Sequence, residues 1–285
     1  MFRRLAIMYY YLLGDRCSRR GDYSRAMFYL SKVIKLQPRN PAAYNDRGVA
    51  FQGMRTYASS IADFDQAINL NPCLAMAYFN RGISRKFLGD FDGVIADQNR
   101  AIVLDPKLAD AHGEIGFAYQ CRDDFERSIA HLTTAIHLAP RELSHLKIRG
   151  CTQFCRGDFE AAAADFRRSL ALGDDPYAML LYYLARAKMS QQAISELETL
   201  AKRLSNGLWP APIFALYLGT LTANAALGAA TNSDERAEAQ FYLGEWHLLR
   251  NNREEAIKAL KAAAQSCPPW FTEHAGAVAE LRRLE

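Results

Sequence analysis

Residues 41–74 read PAAYNDRGVAFQGMRTYASSIADFDQAINLNPCL. Aromatic and small side chains are spaced along this stretch as in two amphipathic helices separated by a turn. At positions 4, 8, 11, 17, 24, 27 and 32 stand Tyr44, Gly48, Phe51, Tyr57, Phe64, Ala67 and Pro72. A small residue at position 8 lets two helices approach closely, and the proline at position 32 ends the second helix because it lacks an N–H. The stretch therefore predicts one helical hairpin.

The same spacing returns every 34 residues in the neighbouring stretches. One hairpin cannot bury its own apolar face, so consecutive hairpins are expected to stack. The sequence predicts an all-α fold, a right-handed α-solenoid with a concave groove. Its five regular units, which together span residues 7–174, are residues 7–40, 41–74, 75–108, 109–142 and 143–174.

The repeat pattern weakens after residue 174 and then returns out of step. Residues 175–204 predict a degenerate helical hairpin, residues 205–236 an insertion with short helices, and residues 237–285 a final unit followed by a C-terminal capping helix. Thr222 is expected to cap the second short helix of the insertion. We expect the insertion to pack across the groove or its rim, with Trp209 at least partly buried.

The 34-residue unit resembles the tetratricopeptide repeat, a helix-turn-helix motif with small residues near positions 8, 20 and 27. The succession LLYYLARAK, LWPAPIFALYLGTLT, AEAQFYLGEWHLLRNNREEAIKALKAAA and FTEHAGAVAELRRL, within residues 176–284, also resembles the second half of the bacterial NlpI lipoprotein family. That resemblance implies an all-helical adaptor, commonly dimeric, in the cell envelope. Such adaptors bring a protease or peptidoglycan hydrolases to their targets.

The composition is that of a folded protein whose positive charge is concentrated at one end. The chain has 285 residues, is 50% hydrophobic and 23% charged, and carries a net charge of +4. Nine Arg or Lys against two Asp give the first forty residues a charge of +7, which leaves −3 for the remainder. A basic end can contact an acidic partner, a phosphate or a membrane surface, and it can equally be a solvated helix face.

Cysteine usage and the N-terminal stretch bear on location. The six cysteines form no CxxC pair, which disfavours a metal site and favours free thiols in a reducing compartment. Two arginines and an apolar run imitate a signal peptide, but no small-x-small cleavage site follows, so a structural helix is favoured. The default location is the cytoplasm, and the alternative implied by the NlpI resemblance is the periplasm or envelope.

In stacked repeats of this kind the first helix of each unit lines the groove. The partner-binding residues predicted from positions 2, 5, 9, 12 and 13 are Tyr11, Asp15, Arg19, Asn45, Val49, Gln52, Phe79, Ile83, Lys86, Phe87, Phe117, Gln120, Lys147, Cys151, Phe154 and Cys155. Aromatic anchors with a few charges suit an amphipathic helix or a peptide segment. For each of these residues, packing between neighbouring units is the alternative role.

Other functions are disfavoured by particular residues. A clamp for a chaperone C-terminus would need Lys and Asn where Tyr11 and Asp15 stand, and Asn where Asp46 stands. No HExxH, GxSxG or glycine-rich phosphate loop is present, and the six histidines are scattered, so we expect neither catalysis nor a cofactor. Nucleic-acid binding is disfavoured because the tyrosines of the basic first unit occupy core positions.

The sequence thus predicts a non-catalytic adaptor that binds a protein partner through its groove. The alternative is an architectural subunit whose edges make the contacts while the groove stays empty. The run from Met8 to Leu13 is too apolar for one helix neighbour to bury, so Tyr9, Leu12 and Leu13 are predicted to form a homodimer or end-cap contact. A missing upstream segment or a different partner would also account for that run.

Overall fold

The computed structural model of the protein describes residues 2–191, 193–203 and 209–285. These ranges contain helices and no strand, which confirms the predicted all-α class. The helices are α1 Phe2–Arg19, α2 Tyr23–Leu36, α3 Pro41–Gly53, α4 Tyr57–Leu70, α5 Ala75–Phe87, α6 Phe91–Leu104, α7 Ala109–Cys121, α8 Phe125–Leu138, α9 Leu143–Arg156, α10 Phe159–Leu172, α11 Pro176–Lys188, α12 Ile194–Ala201, α13 Ala211–Tyr217, α14 Ala223–Gly228, α15 Ser233–Leu248, α16 Arg253–Ser266 and α17 Thr272–Leu284. Residues 204–208, which the sequence placed at the end of the degenerate hairpin and the start of the insertion, lie outside the described residues.

The chain divides into two compact units, Met1–Ala118 and Tyr119–Glu285. Within the second of these units, α10 packs directly on α11. Side chains from both sides of residue 174, such as Phe166 and Leu180, share one buried core.

The two helices of a hairpin approach each other closely at a glycine. A Cβ atom on Gly48 would lie 2.6 Å from the ring of Phe64, and one on Gly150 would lie 2.8 Å from the ring of Phe166. Both distances are too short for a real side chain, so only glycine fits at position 8 of these units. The aromatic ring then fills the volume against the neighbouring backbone.

An aspartate is the N-cap residue of the second helix in most hairpins. The carboxylates of Asp90, Asp124 and Asp158 each accept a hydrogen bond from the amide N–H three residues later. An N-cap side chain of this kind satisfies an amide that the helix itself leaves without an acceptor. The turn between the two helices therefore lies at the same repeat position in successive hairpins.

A repeated ion pair joins the two helices of three hairpins. The arginine lies on the first helix and the aspartate sixteen residues later on the second, in the pairs Arg47–Asp63, Arg81–Asp97 and Arg149–Asp165. The same guanidinium groups also donate to the preceding hairpin, through Ser31, Asp65 and Thr133. These side chains therefore fix both the hairpin and its stacking on its neighbour.

Buried hydroxyl groups link consecutive hairpins in both units. The hydroxyl oxygens of Ser60 and Ser84 lie 2.7 Å apart, between α4 and α5. Those of Ser128 and Thr152 lie 3.0 Å apart, between α8 and α9. Small polar residues here allow close helix packing while the hydrogen bonds satisfy their buried oxygens.

The described part of residues 205–236 contains two short helices, α13 and α14. The hydroxyl of Thr222 accepts a hydrogen bond from the N–H of Ala225, which confirms the predicted cap. Trp209 is partly buried and donates from its indole nitrogen to Glu238 at 2.7 Å, which confirms that prediction. Helix α13 packs against α12 and α15.

The C-terminal helix α17 packs against α15 and α16, as a cap of the last unit would. It also packs against α9, the first helix of the fifth predicted repeat. Ala275 and Ala279 of α17 form a buried cluster with Cys155. The sequence did not predict this second contact, in which the chain's own helix lies on residues expected to line the groove.

Candidate functional site

In the unit Met1–Ala118, the first helices of successive hairpins lie side by side and form one face, made by α1, α3, α5 and the first part of α7. Polar side chains link these helices across the face. The Asn80 amide donates to the Asn45 side-chain oxygen at 3.1 Å, and the Gln52 amide donates to the main-chain oxygen of Asn80 at 2.7 Å. The polar groups of this face therefore bond largely to one another.

Tyr11 and Asp46 form the link between α1 and α3, because the Tyr11 hydroxyl donates to the Asp46 carboxylate. Burial, together with this bond, raises the pKa of the Tyr11 phenol above its usual value. These are two of the three positions that a chaperone-tail clamp would need as Lys and Asn. Here they bind each other. The third, Asp15, pairs with Arg19 on its own helix at 3.1 Å.

Lys86 of α5 pairs with Glu114 of α7 at 2.8 Å. Its ammonium group also lies over the rings of Phe87 and Phe117, at 5.5 and 5.3 Å from their centres. The Phe87 ring stacks on Tyr57 of α4 at 4.8 Å, so this residue packs between hairpins. A lysine held in this way offers no unpaired charge to a partner.

The side chains of this face that remain available to a partner are apolar. Val49, Phe79, Ile83 and Phe117 are each only partly buried, and they lie on α3, α5 and α7; we call them the apolar strip. All four are among the groove residues predicted from the sequence. Their exposed surface lies beside polar groups that are already bonded, so contact with this strip requires apolar side chains on the partner.

The corresponding residues of the unit Tyr119–Glu285 are not available to a partner, which corrects the sequence prediction. Gln120, Cys151, Phe154 and Cys155 are all buried. The physical reason for α9 is the docking of α17: its Ala275 and Ala279 pack on Cys155, and Arg283 donates to the main-chain oxygens of Phe154 and Cys155. Gln120 is buried beside the Cys155 thiol.

Burial makes the two groove cysteines chemically inert. Burial raises the pKa of the Cys151 thiol well above its usual value and that of Cys155 to about 12. A thiol that stays protonated at neutral pH is a poor nucleophile and a poor metal ligand. All six cysteines are free thiols, as predicted.

Lys147, the other predicted groove residue of α9, pairs with Asp175 at 2.7 Å. It borders a cavity of about 240 Å³, together with Cys151, Tyr177, Glu238 and Glu273. Burial, and then the nearby Glu238 charge, raises the pKa of Glu273 to about 7. This cavity lies at the edge of the α17 contact.

The carboxylates behind α17 were missed by the sequence reasoning. Lys188 of α11 lies 2.9 Å from both Glu245 of α15 and Glu280 of α17, and Glu280 also pairs with Arg283. Burial and the neighbouring Glu280 raise the pKa of Glu245. No sequence signal marks these residues, because glutamate is common on helix surfaces and only the docking of α17 buries it here.

Among the described residues no group of three or more His, Cys, Asp or Glu is placed to hold a metal ion. His112, at a repeat position that usually holds an aromatic residue, is half-buried, and burial lowers its pKa. Packing therefore accounts for this histidine.

The predicted contact residues at the N-terminal end lie as follows. Tyr9 and Leu12 are mostly exposed on α1, and Leu13 is partly buried. The homodimer that was predicted through them stays a prediction. No helix in the described part of the chain is sufficiently long and apolar to cross a membrane.

Comparison with known proteins supports the repeat assignment. Residues 9–40 and residues 238–269 each match a model of the tetratricopeptide repeat. No curated protein matches the chain. The predicted resemblance of residues 176–284 to the NlpI family stays a prediction, since the matched models describe the repeat alone.

Several solved structures are similar to this one. PilF of Pseudomonas aeruginosa is 17% identical with a TM-score of 0.65, over 76% of this chain and 100% of that chain. MamA of Desulfovibrio magneticus RS-1, from its residue 41 onward, is 23% identical with a TM-score of 0.54, over 59% of this chain and 94% of that chain. YrrB, described as a tetratricopeptide protein with an unusual peptide-binding site, is 15% identical with a TM-score of 0.50, over 59% and 87%. At these identities the likeness shows the fold.

Proposed function

Because the chain carries tetratricopeptide repeats, we propose that it is a non-catalytic adaptor that binds a protein partner through the first-helix face of the unit Met1–Ala118. The partner segment is an amphipathic helix or a peptide with apolar anchors. The observation that carries the proposal is the apolar strip of Val49, Phe79, Ile83 and Phe117, left partly exposed among side chains that bond to one another.

Two further observations support a helical ligand. In the unit Tyr119–Glu285, the equivalent helix α9 receives α17, so a helix packs on this kind of surface within the same chain. Small residues of α17, Ala275 and Ala279, make the contact. The peptide-binding site named for YrrB supports a peptide ligand by likeness of fold.

The test uses the full chain and a partner identified by mass spectrometry of co-purified proteins. In the test variant Phe79→Ser and Ile83→Ser remove two anchors of the apolar strip. The control variant carries Leu88→Ser and Val103→Ser, which change two apolar side chains of the same unit that are exposed outside the strip. Calorimetry with the purified partner should show at least a tenfold weaker affinity, about 1.4 kcal/mol, for the test variant only.

Thermal unfolding monitored by circular dichroism establishes that both variants are folded. If the double substitution unfolds the protein, the single substitution Val49→Lys takes its place as the test variant. It places a charge in the apolar strip at a partly exposed site. Unchanged affinity in a folded variant would instead support the alternative, an architectural subunit that uses its edges while the face stays empty.

We further propose that the adaptor acts in a bacterial cell envelope. The resemblance of residues 176–284 to the NlpI family supports this location. Fractionation of cells that produce the full-length protein from its own gene tests it. Recovery with the periplasm or the membranes supports the envelope role, and recovery with the cytosol alone rejects it.

A further inference from the structure

Helix α1 presents an apolar face that no other helix of its unit covers. Phe2, Leu5, Met8, Tyr9 and Leu12 are between 49% and 89% exposed. Residues 2, 5, 9 and 12 recur every three or four positions, so they lie along one side of the helix. The opposite side packs on α2, where Gly14 faces Leu30 and the ring of Tyr10 stacks on Tyr29 at 6.4 Å.

Arginines flank this face at both ends. Arg3 and Arg4 lie in its first turn, Arg16 and Arg19 lie in its last turn, and Arg20 follows directly after the helix. Arginine stems pack along apolar surface while the guanidinium groups reach a polar or charged layer beside it. Helices that lie in a membrane interface likewise combine an apolar face with basic side chains beside it.

The charge of this segment is strongly one-sided. Residues 2–40 carry nine basic side chains and two acidic ones. Both acidic side chains are already paired, Asp15 with Arg19 at 3.1 Å and Asp22 with Arg25 at 3.4 Å. Seven basic side chains remain after these two pairs are set aside. Three of these seven, Arg3, Arg4 and Arg16, lie on α1 itself, so a surface that supplies negative charge as well as apolar contact complements this helix.

The exposed apolar residues and the positive charge of α1 discriminate between two candidates that could cover this helix, a second copy of the chain and a lipid surface. A second copy of the chain would bring two such basic segments together across a twofold contact, and like charges oppose that approach. An anionic lipid surface supplies apolar acyl chains and a layer of negative headgroups at once.

We propose that α1 docks the protein on anionic membranes, with Phe2, Leu5, Met8, Tyr9 and Leu12 inserted among the acyl chains and with Arg4 and Arg16 on the headgroups. An 18-residue helix is about 27 Å long, enough to lie across several lipid headgroups. This role does not involve the apolar strip, because its residues lie on α1, whereas those of the strip lie on α3, α5 and α7.

The experiment is co-sedimentation of the full chain with sucrose-loaded vesicles. We expect binding to phosphatidylcholine vesicles that contain about 30% phosphatidylglycerol, and at least tenfold weaker binding to pure phosphatidylcholine. Raising the salt from about 0.1 M to about 0.5 M should weaken binding to the anionic vesicles, since screening shortens the reach of the charges.

Two variants separate the apolar from the electrostatic contribution. Leu5→Asp with Leu12→Asp, and separately Arg4→Glu with Arg16→Glu, should each weaken binding to the anionic vesicles at least tenfold. The control Leu88→Asp with Val103→Asp places the same charges on exposed apolar sites of the same unit and should bind like the unchanged protein. Circular dichroism verifies that all three are folded.

The proposal is overturned if the full chain binds neither vesicle, binds both equally, or loses nothing in the Leu5 and Leu12 variant. Light scattering decides the competing account. A dimer at micromolar concentration that the same variant dissociates, together with no vesicle binding, would assign the face to a second copy.

Discussion

Arg149 and Asp165 bind each other through two parallel hydrogen bonds, of 2.7 and 2.8 Å, between the two helices of one hairpin. The Asp165 side chain is 4% exposed and that of Arg149 15%. Two other hairpins carry the same pair at the same separation along the chain. A buried pair of this geometry is costly to break, because the remaining charge has lost its partner.

Removing the carboxylate in Asp165→Ala should therefore lower the free energy of unfolding by about 3 kcal/mol. The control Glu126→Ala removes an exposed partner from Arg156 in the same unit and should cost less than about 1 kcal/mol. Urea denaturation followed by circular dichroism measures both. A loss for Asp165→Ala no larger than that of the control would show that the pair does not stabilise the hairpin.

Gly150→Ala should destabilise the protein even though alanine favours a helix. The added methyl group would lie 2.8 Å from the Phe166 ring, and the helices must separate to admit it. We expect a loss of about 1 to 3 kcal/mol. Gly228→Ala is the control: nothing lies within 4 Å of its added atom, and it should be neutral or gain up to about 1 kcal/mol. Equal melting temperatures for the two variants would contradict this account.

The stability of the chain should rise as the pH falls from 8 toward 5, in part through Glu273. Burial raises its pKa in the folded protein to about 7, from an ordinary value of 4.5. The folded state therefore holds its proton more tightly than the unfolded state, and the contribution is complete below about 4.5 and is lost as the pH rises through about 7. Glu273→Gln, which keeps an acceptor for the Tyr242 hydroxyl, should flatten this dependence.

Chemical denaturation at several pH values measures the dependence, and the expected change is on the order of 2 kcal/mol for this carboxyl. Glu235→Gln is the control, because Glu235 lies outside the buried cluster of carboxylates. If the free energy of unfolding of Glu273→Gln depends on pH as steeply as that of the unchanged chain, Glu273 is ionised across this pH range.

Loosening α17 should expose the cysteines of α9. In Arg283→Ala the helix loses its hydrogen bonds to the main-chain oxygens of Phe154 and Cys155. N-ethylmaleimide labelling of Cys155, followed by peptide mass spectrometry, should become at least tenfold faster, because thiol reactivity here depends on local opening.

Arg282→Ala is the matched control for that experiment, since Arg282 makes an exposed pair with Asp123 at 2.8 Å and does not hold the groove contact. Exposed Cys73 supplies an internal reference that should label rapidly in every variant. If Cys155 is labelled at the same rate in both variants, Arg283 does not control the docking of α17.

Much of the hairpin architecture could be predicted from the sequence because its determinants are local. Gly48 and Gly150 stand at position 8 because another helix passes within contact distance, and their spacing repeats along the chain. The arginine and aspartate of Arg47–Asp63 and Arg149–Asp165 also repeat, sixteen residues apart. That second pattern was visible in the sequence and was not used, although it specifies how the two helices of a hairpin are joined.

The docking of α17 could not be predicted in the same way. Its small residues, among them Ala275 and Ala279, are compatible with any close helix neighbour, and the amphipathic pattern does not name that neighbour. The burial of Glu273 and Glu280 follows from the same contact. The groove residues Cys151, Phe154 and Cys155 of α9 were therefore predicted as open but are buried, whereas the predicted groove residues on α3 and α5 are partly exposed.

Arg283 contacts α9 through carbonyl oxygens, which every amino acid carries. Residues 154 and 155 could therefore drift during evolution without loss of these hydrogen bonds, provided that the replacements fit the space. The arginine has no such freedom, because one of its terminal nitrogens donates to both carbonyls while the other pairs with Glu280, and lysine has a single nitrogen. Divergent descendants of this chain should then vary at the groove cysteine while retaining the arginine, so the selective constraint falls on the helix that docks.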